Sequence, residues 1–117
     1  MQDTYQTLVR LSLPEGILEY FELVKVIQTE TGLNIHLEEK NIVPAGYENQ
    51  RLESKGFLPE TSIQDFPIRS HKVALCIKRR RWEVLESKTI ITRDWNIVQK
   101  GARMTTEFGT FLKGIFG

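Results

Sequence analysis

Apolar residues recur at every second position through Leu33, Ile35 and Leu37, with Asn34, His36 and Glu38 between them. That is the period of a strand with one buried face. Joined to Leu23 to Gln28 through a turn at Glu30-Thr31-Gly32, the segment predicts an antiparallel hairpin. Upstream, Leu8 to Leu13 runs into Pro14-Glu15-Gly16, and the cluster Ile17, Leu18, Tyr20 and Phe21 suits either a short helical turn or the start of a strand. From Lys40 to Pro59 no period survives, and Pro44, Gly46 and Gly56 interrupt mixed polar residues, so this stretch reads as a surface connection.

A second β region begins at Thr61. Ser62 to Phe66 reads as a strand, Pro67 to His71 as its turn, and Lys72 to Trp82 as a long strand whose inward face is Val73, Leu75 and Ile77. The same parity continues into Arg79 and Arg81, while the other carries Lys78, Arg80 and Trp82. Past Ile77 neither face can enter a core without burying unpaired charge, so that end of the strand is expected to project into solvent. A turn near Glu86-Ser87 returns the chain as Thr89 to Trp95, facing Arg79 with Asp94 and making a cationic β-ribbon. After Arg103 the period becomes helical, with Met104, Phe108, Phe111, Leu112, Ile115 and Phe116 at steps of three and four and Thr105 placed to cap the start. Gly109 and Gly114 weaken this helix by about 1 kcal/mol each relative to Ala. Its apolar stripe needs a surface to dock on, in this chain or another.

The expected fold class is therefore α+β and mostly β: two antiparallel hairpin regions followed by a C-terminal amphipathic helix. One domain spans 1–117, with an acidic hairpin region and loop over 1–60, a basic β-ribbon over 61–98 and the helix over 103–117. The length and the 40% apolar content suit one modest globular core. No stretch has the apolar length of a membrane span and the start lacks the order of a signal peptide, which points to the cytosol and, for a DNA binder, the nucleoid.

Charge changes the picture. The formal total of +1 conceals a front half, Met1 to Ile68, with 5 Lys/Arg against 11 Asp/Glu (net −6) and a back half, Arg69 to Gly117, with 11 against 4 (net +7). The run Lys78-Arg79-Arg80-Arg81-Trp82 sits in the basic half, and cations interleaved with aromatics are the footprint of nucleic-acid contact. Arg93, Lys72 and Arg69 extend the candidate patch. The bland reading of the run is an edge strand charged against edge-to-edge pairing, and for Trp82 and Trp95 it is core or cross-strand packing. The acidic half calls for a separate explanation.

Candidate chemistry is sparse. Cys76, the one cysteine, excludes an internal disulfide and any C-x-x-C zinc knuckle, and on a strand beside apolar residues it reads as inert. His36 and His71 stand without a third ligand or a nucleophile at useful spacing, so both read as surface imidazoles. Glu38 and Glu39 lie on opposite faces of one strand and cannot act on one bond together. With no Gly-rich phosphate loop either, the sequence argues for a non-enzyme without metal or cofactor.

Leu52 to Phe57, Ile63-Gln64-Asp65-Phe66-Pro67-Ile68, Val73 to Trp82, and Arg93-Asp94-Trp95 followed by Arg103-Met104-Thr105 resemble the transposon N-region proteins. These are short products encoded beside insertion-sequence transposases in bacteria, and the likeness runs from Leu13-Pro14-Glu15-Gly16-Ile17 to Leu112. In the wider transposase family the matching segment is fused to the catalytic protein as a zinc ribbon with a D-x-P hairpin and a basic strand end. A helix-turn-helix and a DDE domain of RNase-H type follow it. The resemblance implies that Asp65 and Pro67 mark the hairpin, that Arg79, Arg80 and Arg81 form the basic strand end, and that Met104 to Leu112 opens the helix-turn-helix. The two C-x-x-C pairs of that family are missing here, so the ribbon-like hairpin would hold no zinc. The sequence expectation is thus a DNA-binding accessory protein of transposition. It would recognise transposon ends with Lys78, Arg79, Arg80, Arg81, Trp82, Arg93, Lys72 and Arg69, and would meet a separately encoded DDE transposase through Met104, Phe108, Phe111, Leu112 and Ile115. The rival is a protein-interaction module that binds the transposase without touching DNA.

Overall fold

The computed structural model describes residues 9–11, 13 and 16–95. The helix expected over 103–117, with Met104, Phe108, Phe111, Leu112 and Ile115, lies outside the described residues, as does the 96–98 end of the basic ribbon. Among the described residues, seven strands follow a 3-10 turn at Ile17–Glu19: β1 (Phe21–Gln28), β2 (Gly32–Glu39), β3 (Leu52–Phe57), β4 (Thr61–Ile68), β5 (His71–Lys78), β6 (Arg80–Val84) and β7 (Thr89–Thr92). They form a four-stranded sheet in the order β1-β2-β5-β4 and a three-stranded sheet in the order β3-β6-β7.

The first hairpin folds as its alternation predicts, with Leu23 opposite Leu37 and Val26 opposite Ile35. The undecided cluster before it does both things proposed for it, since Ile17 belongs to the 3-10 turn and Phe21 opens β1. The β4–β5 hairpin also forms, and Val73, Leu75 and Ile77 are all buried. What the period could not foresee is the parallel pairing of β2 with β5, which merges the two hairpins into one mixed sheet. Gly32 opens that pairing opposite Lys72, and a Cβ built there would overlap the Lys72 carbonyl. Only glycine permits so close a backbone approach. The inner face of the sheet, with Phe21, Ile35, Leu37, Val73, Leu75 and Ile77, is covered by Val9, Leu13, Ile17 and Trp95.

Two expectations are corrected. The presumed connection from 40 to 59 contains β3, an edge strand pairing Leu52 with Val84 and Ser54 with Trp82. The strand was hidden because its register shifts between Ser54 and Phe57 around Gly56, whose φ of 81° marks a bulge that breaks the alternation. The long strand from 72 to 82 is two strands. β5 ends at Lys78, Arg79 stands between, and β6 joins the other sheet. The buried positions switch there from odd (Val73, Leu75, Ile77) to even (Trp82, Val84), so the chain changes sheets by shifting phase and does not run out into solvent. The crossing is fastened to the β3–β4 crossing, because the Leu58 amide donates to the Arg79 carbonyl at 2.8 Å.

The β6–β7 return matches the expected turn, and its ladder runs from Arg81↔Thr92 to Val84↔Thr89. Sequence polarity is not spatial polarity, however. Acidic-half β2 lies beside basic-half β5, and acidic-half β3 beside basic-half β6. The acidic front is the internal counterpart of the basic back.

Candidate nucleic-acid interface

The eight residues proposed for DNA contact fall into three places. Arg80, Trp82 and Arg93 belong to the junction of the two sheets, centred on Glu39, the last residue of β2, which is 1% exposed. Glu39 accepts from the Arg93 Nε at 2.7 Å through one carboxylate oxygen and from the Arg80 backbone amide at 2.9 Å through the other. The Arg80 guanidinium also donates to the Glu39 carbonyl at 3.0 Å and the Ser54 hydroxyl at 2.6 Å, and lies 4.6 Å over the Phe57 ring. Arg93, 7% exposed, donates further to the Ile42 carbonyl at 2.6 Å. Its guanidinium carbon lies 5.3, 5.5 and 5.7 Å from the rings of Tyr20, Trp82 and Trp95. Cation–π attraction is strongest at such desolvated sites.

Burial pushes the Glu39 carboxyl above its ordinary value, while the hydrogen bonds from Arg93 and Arg80 pull it back. Trp82, 1% exposed, donates its indole N–H to Asn41 at 2.8 Å. Trp95 stacks on Phe21 with centroids 5.4 Å apart and meets Tyr20 edge-on. Of the residues expected to face nucleic acid, Trp82 and Arg93 are buried and Arg80 is half-buried, each already hydrogen-bonded within the chain, and neither indole has a free face for a base.

Lys78, Arg79 and Arg81 sit at the C-terminal end of β5 and the start of β6. Lys78 and Arg79 are half-buried; Arg81 is exposed, with its Nε donating to the Lys55 carbonyl at 2.8 Å. Arg69 and Lys72 lie at the opposite end of β5, roughly 20 Å away at the rise of a β-strand. One continuous patch is thus replaced by two separate groups.

The Arg69 group has distinctive geometry. Ile68 pairs with His71, leaving Arg69-Ser70 as a two-residue hairpin turn in which both residues have positive φ, 47° and 69°. Such turns favour Asn-Gly, since other L-residues are strained in the left-handed region by about 1–2 kcal/mol each. Arg69, Ser70, His71 and Lys72 are all exposed at this tip. Strain held where a cation is presented to solvent is the kind of outlier that points to a role. Behind the tip, Pro67 on the edge strand β4 removes a donor from the sheet edge, which opposes pairing with another sheet. The sequence reading included Arg69 and Lys72, yet the unusual turn was not legible, because Arg-Ser carries no signal for it.

A further grouping escaped the sequence. His36, Glu60 and Cys76, from three separate segments, approach one another on the outer face of the four-stranded sheet. His36 is not the isolated imidazole expected from spacing. Among the described residues no helix is long and apolar enough to cross a membrane. No family model matches the chain, and no curated protein or solved structure matches it either.

Proposed function

We propose that the protein is a DNA-binding accessory factor of transposition, which engages transposon DNA through the β4–β5 tip and leaves cleavage to a separately encoded DDE transposase. The observation that carries the DNA contact is the strained Arg69-Ser70 turn, which presents Arg69 and Lys72 to solvent. A narrow β-hairpin of this kind fits a duplex groove, and its cations would neutralise phosphates. Lys78, at the far end of β5, and Arg81, at the start of β6, would supply a second cationic group for backbone contact. The assignment to transposition rests on the resemblance of Ile63 to Ile68 and Val73 to Trp82 to transposon N-region proteins. In this reading the protein acts in the cytoplasm, at the nucleoid, and supplies no catalytic residues of its own.

The test is a gel-shift series with duplex DNA carrying transposon ends. Wild type is expected to bind at moderate salt and R69A/K72A to bind more weakly, while R81A alone has the smaller effect. Absence of duplex binding by wild type, or equal binding by R69A/K72A, contradicts the proposal. A second reading, a module that binds the transposase only, is favoured by β1, an edge strand with Val24 46% and Ile27 43% exposed. It predicts capture of the transposase by a protein that leaves duplex DNA unshifted.

A further inference from the structure

The parallel pairing of β2 with β5 makes His36 and Cys76 lateral neighbours, and the antiparallel pairing of β4 with β5 places Ser62 across from Cys76 on the other side. Their side chains lie on the face turned away from the core, because the alternate positions Ile35, Leu37, Leu75 and Ile77 fill the inner one. Glu60, just before β4, reaches over the same spot. Its Oε2 lies 3.4 Å from the His36 Nδ1, and the ligand-type atoms of His36, Glu60 and Cys76 all fall within 4.8 Å of one another.

We propose that His36, Glu60 and Cys76 form a binding site for a divalent transition-metal ion, zinc foremost, with solvent as the fourth ligand. An imidazole nitrogen, a carboxylate oxygen and a thiolate sulfur make a mixed set that suits zinc, whereas calcium and magnesium take oxygen ligands. Metal–ligand lengths of about 2.0–2.3 Å put neighbouring tetrahedral ligands about 3.3–3.7 Å apart. The His36–Glu60 separation already has that value, and the remaining gaps close with a shift of about 1 Å, within the rotamer freedom of a half-exposed glutamate.

Charge and access agree with this assignment. Coordination replaces the Cys76 S–H bond with a sulfur–metal bond and releases the proton to solvent, so the dication meets one thiolate and one carboxylate and the site is neutral overall. Lys25, Glu38 and Lys78 line the adjoining hollow with His36 and Glu60, so the two lysines there meet the Glu38 carboxylate and a site without net charge. Cys76 is 5% exposed, while the His36 and Glu60 side chains are 17% and 35% exposed, so the sulfur is shielded and the other two ligands open an entry path. The bland alternative is a His36–Glu60 ion pair beside an inert thiol.

Cobalt(II), titrated into the reduced full-length protein, distinguishes the two. The expected result is saturation at one equivalent, with thiolate-to-cobalt charge transfer in the near ultraviolet and tetrahedral bands in the visible, both bleached by added zinc. C76S should abolish the charge-transfer band, and H36A should weaken binding by at least about tenfold, the scale on which even outer-shell losses register. E60Q, on an exposed position that leaves the sheet intact, should also weaken binding, and the circular dichroism of each variant shows whether it is folded. Wild type without a charge-transfer band, or a band that survives in C76S, overturns the assignment.

Discussion

Arg93 and Arg69 carry the same guanidinium into opposite environments. Arg93 is enclosed by three aromatic rings and joined to a buried carboxylate at 2.7 Å. Arg69 stands exposed on a turn whose backbone is strained. The junction around Glu39 uses its cations to fasten two sheets together, and the tip leaves its cation exposed to solvent. A run of basic residues is therefore not one functional unit; the partner that each residue finds decides its role. Arg80 and Arg93 find Glu39, and Arg69 extends beyond the reach of the sheet.

The sharpest way to break this contrast is to remove the shared carboxylate. E39A leaves the Arg93 charge buried and unmatched, and urea unfolding should show a loss of about 3–5 kcal/mol, whereas R69A/K72A should stay within about 0.5 kcal/mol of wild type. Equal losses in the two variants would erase the distinction. G32A forces β2 away from the Lys72 carbonyl and should cost about 1–3 kcal/mol in the same assay.

At the tip, R69N/S70G supplies the residues the turn prefers and should raise stability by about 1 kcal/mol while weakening DNA binding. Greater stability with undiminished binding would mean that the strained arginine serves no recognition. The smallest effect concerns pH. Burial raises the Glu39 pKa in the fold, so the folded state holds that proton more tightly than the unfolded chain. The contribution of this group to stability is therefore present below the ordinary carboxylate value and is lost as pH rises through the raised one. E39Q, which has no proton to lose, should flatten that part of the stability–pH curve, measured by urea midpoints from acidic to neutral pH.

Local pattern made some of this visible. Leu33, Ile35 and Leu37 gave away the first hairpin, Val73, Leu75 and Ile77 the central strand, and Glu86-Ser87 the last turn. The rest depends on pairings between residues far apart in the chain. Nothing near Arg80 announces Glu39, which lies 41 positions earlier, and Glu39 beside Glu38 looks like any solvated acidic pair. The failure of alternation past Ile77 was legible, but two remedies exist for it, exposure or a change of sheet, and only tertiary structure selects between them. The same parallel pairing hid the approach of His36 to Cys76, and the bulge at Gly56 disguised β3.

The most direct test of the division between fastening and presenting cations is the salt dependence of duplex binding. Log affinity is plotted against log salt for wild type and for R69A/K72A. Two lost phosphate contacts should make the slope shallower by about 2. An unchanged slope in R69A/K72A would contradict the account, because the cations that meet DNA would then lie elsewhere.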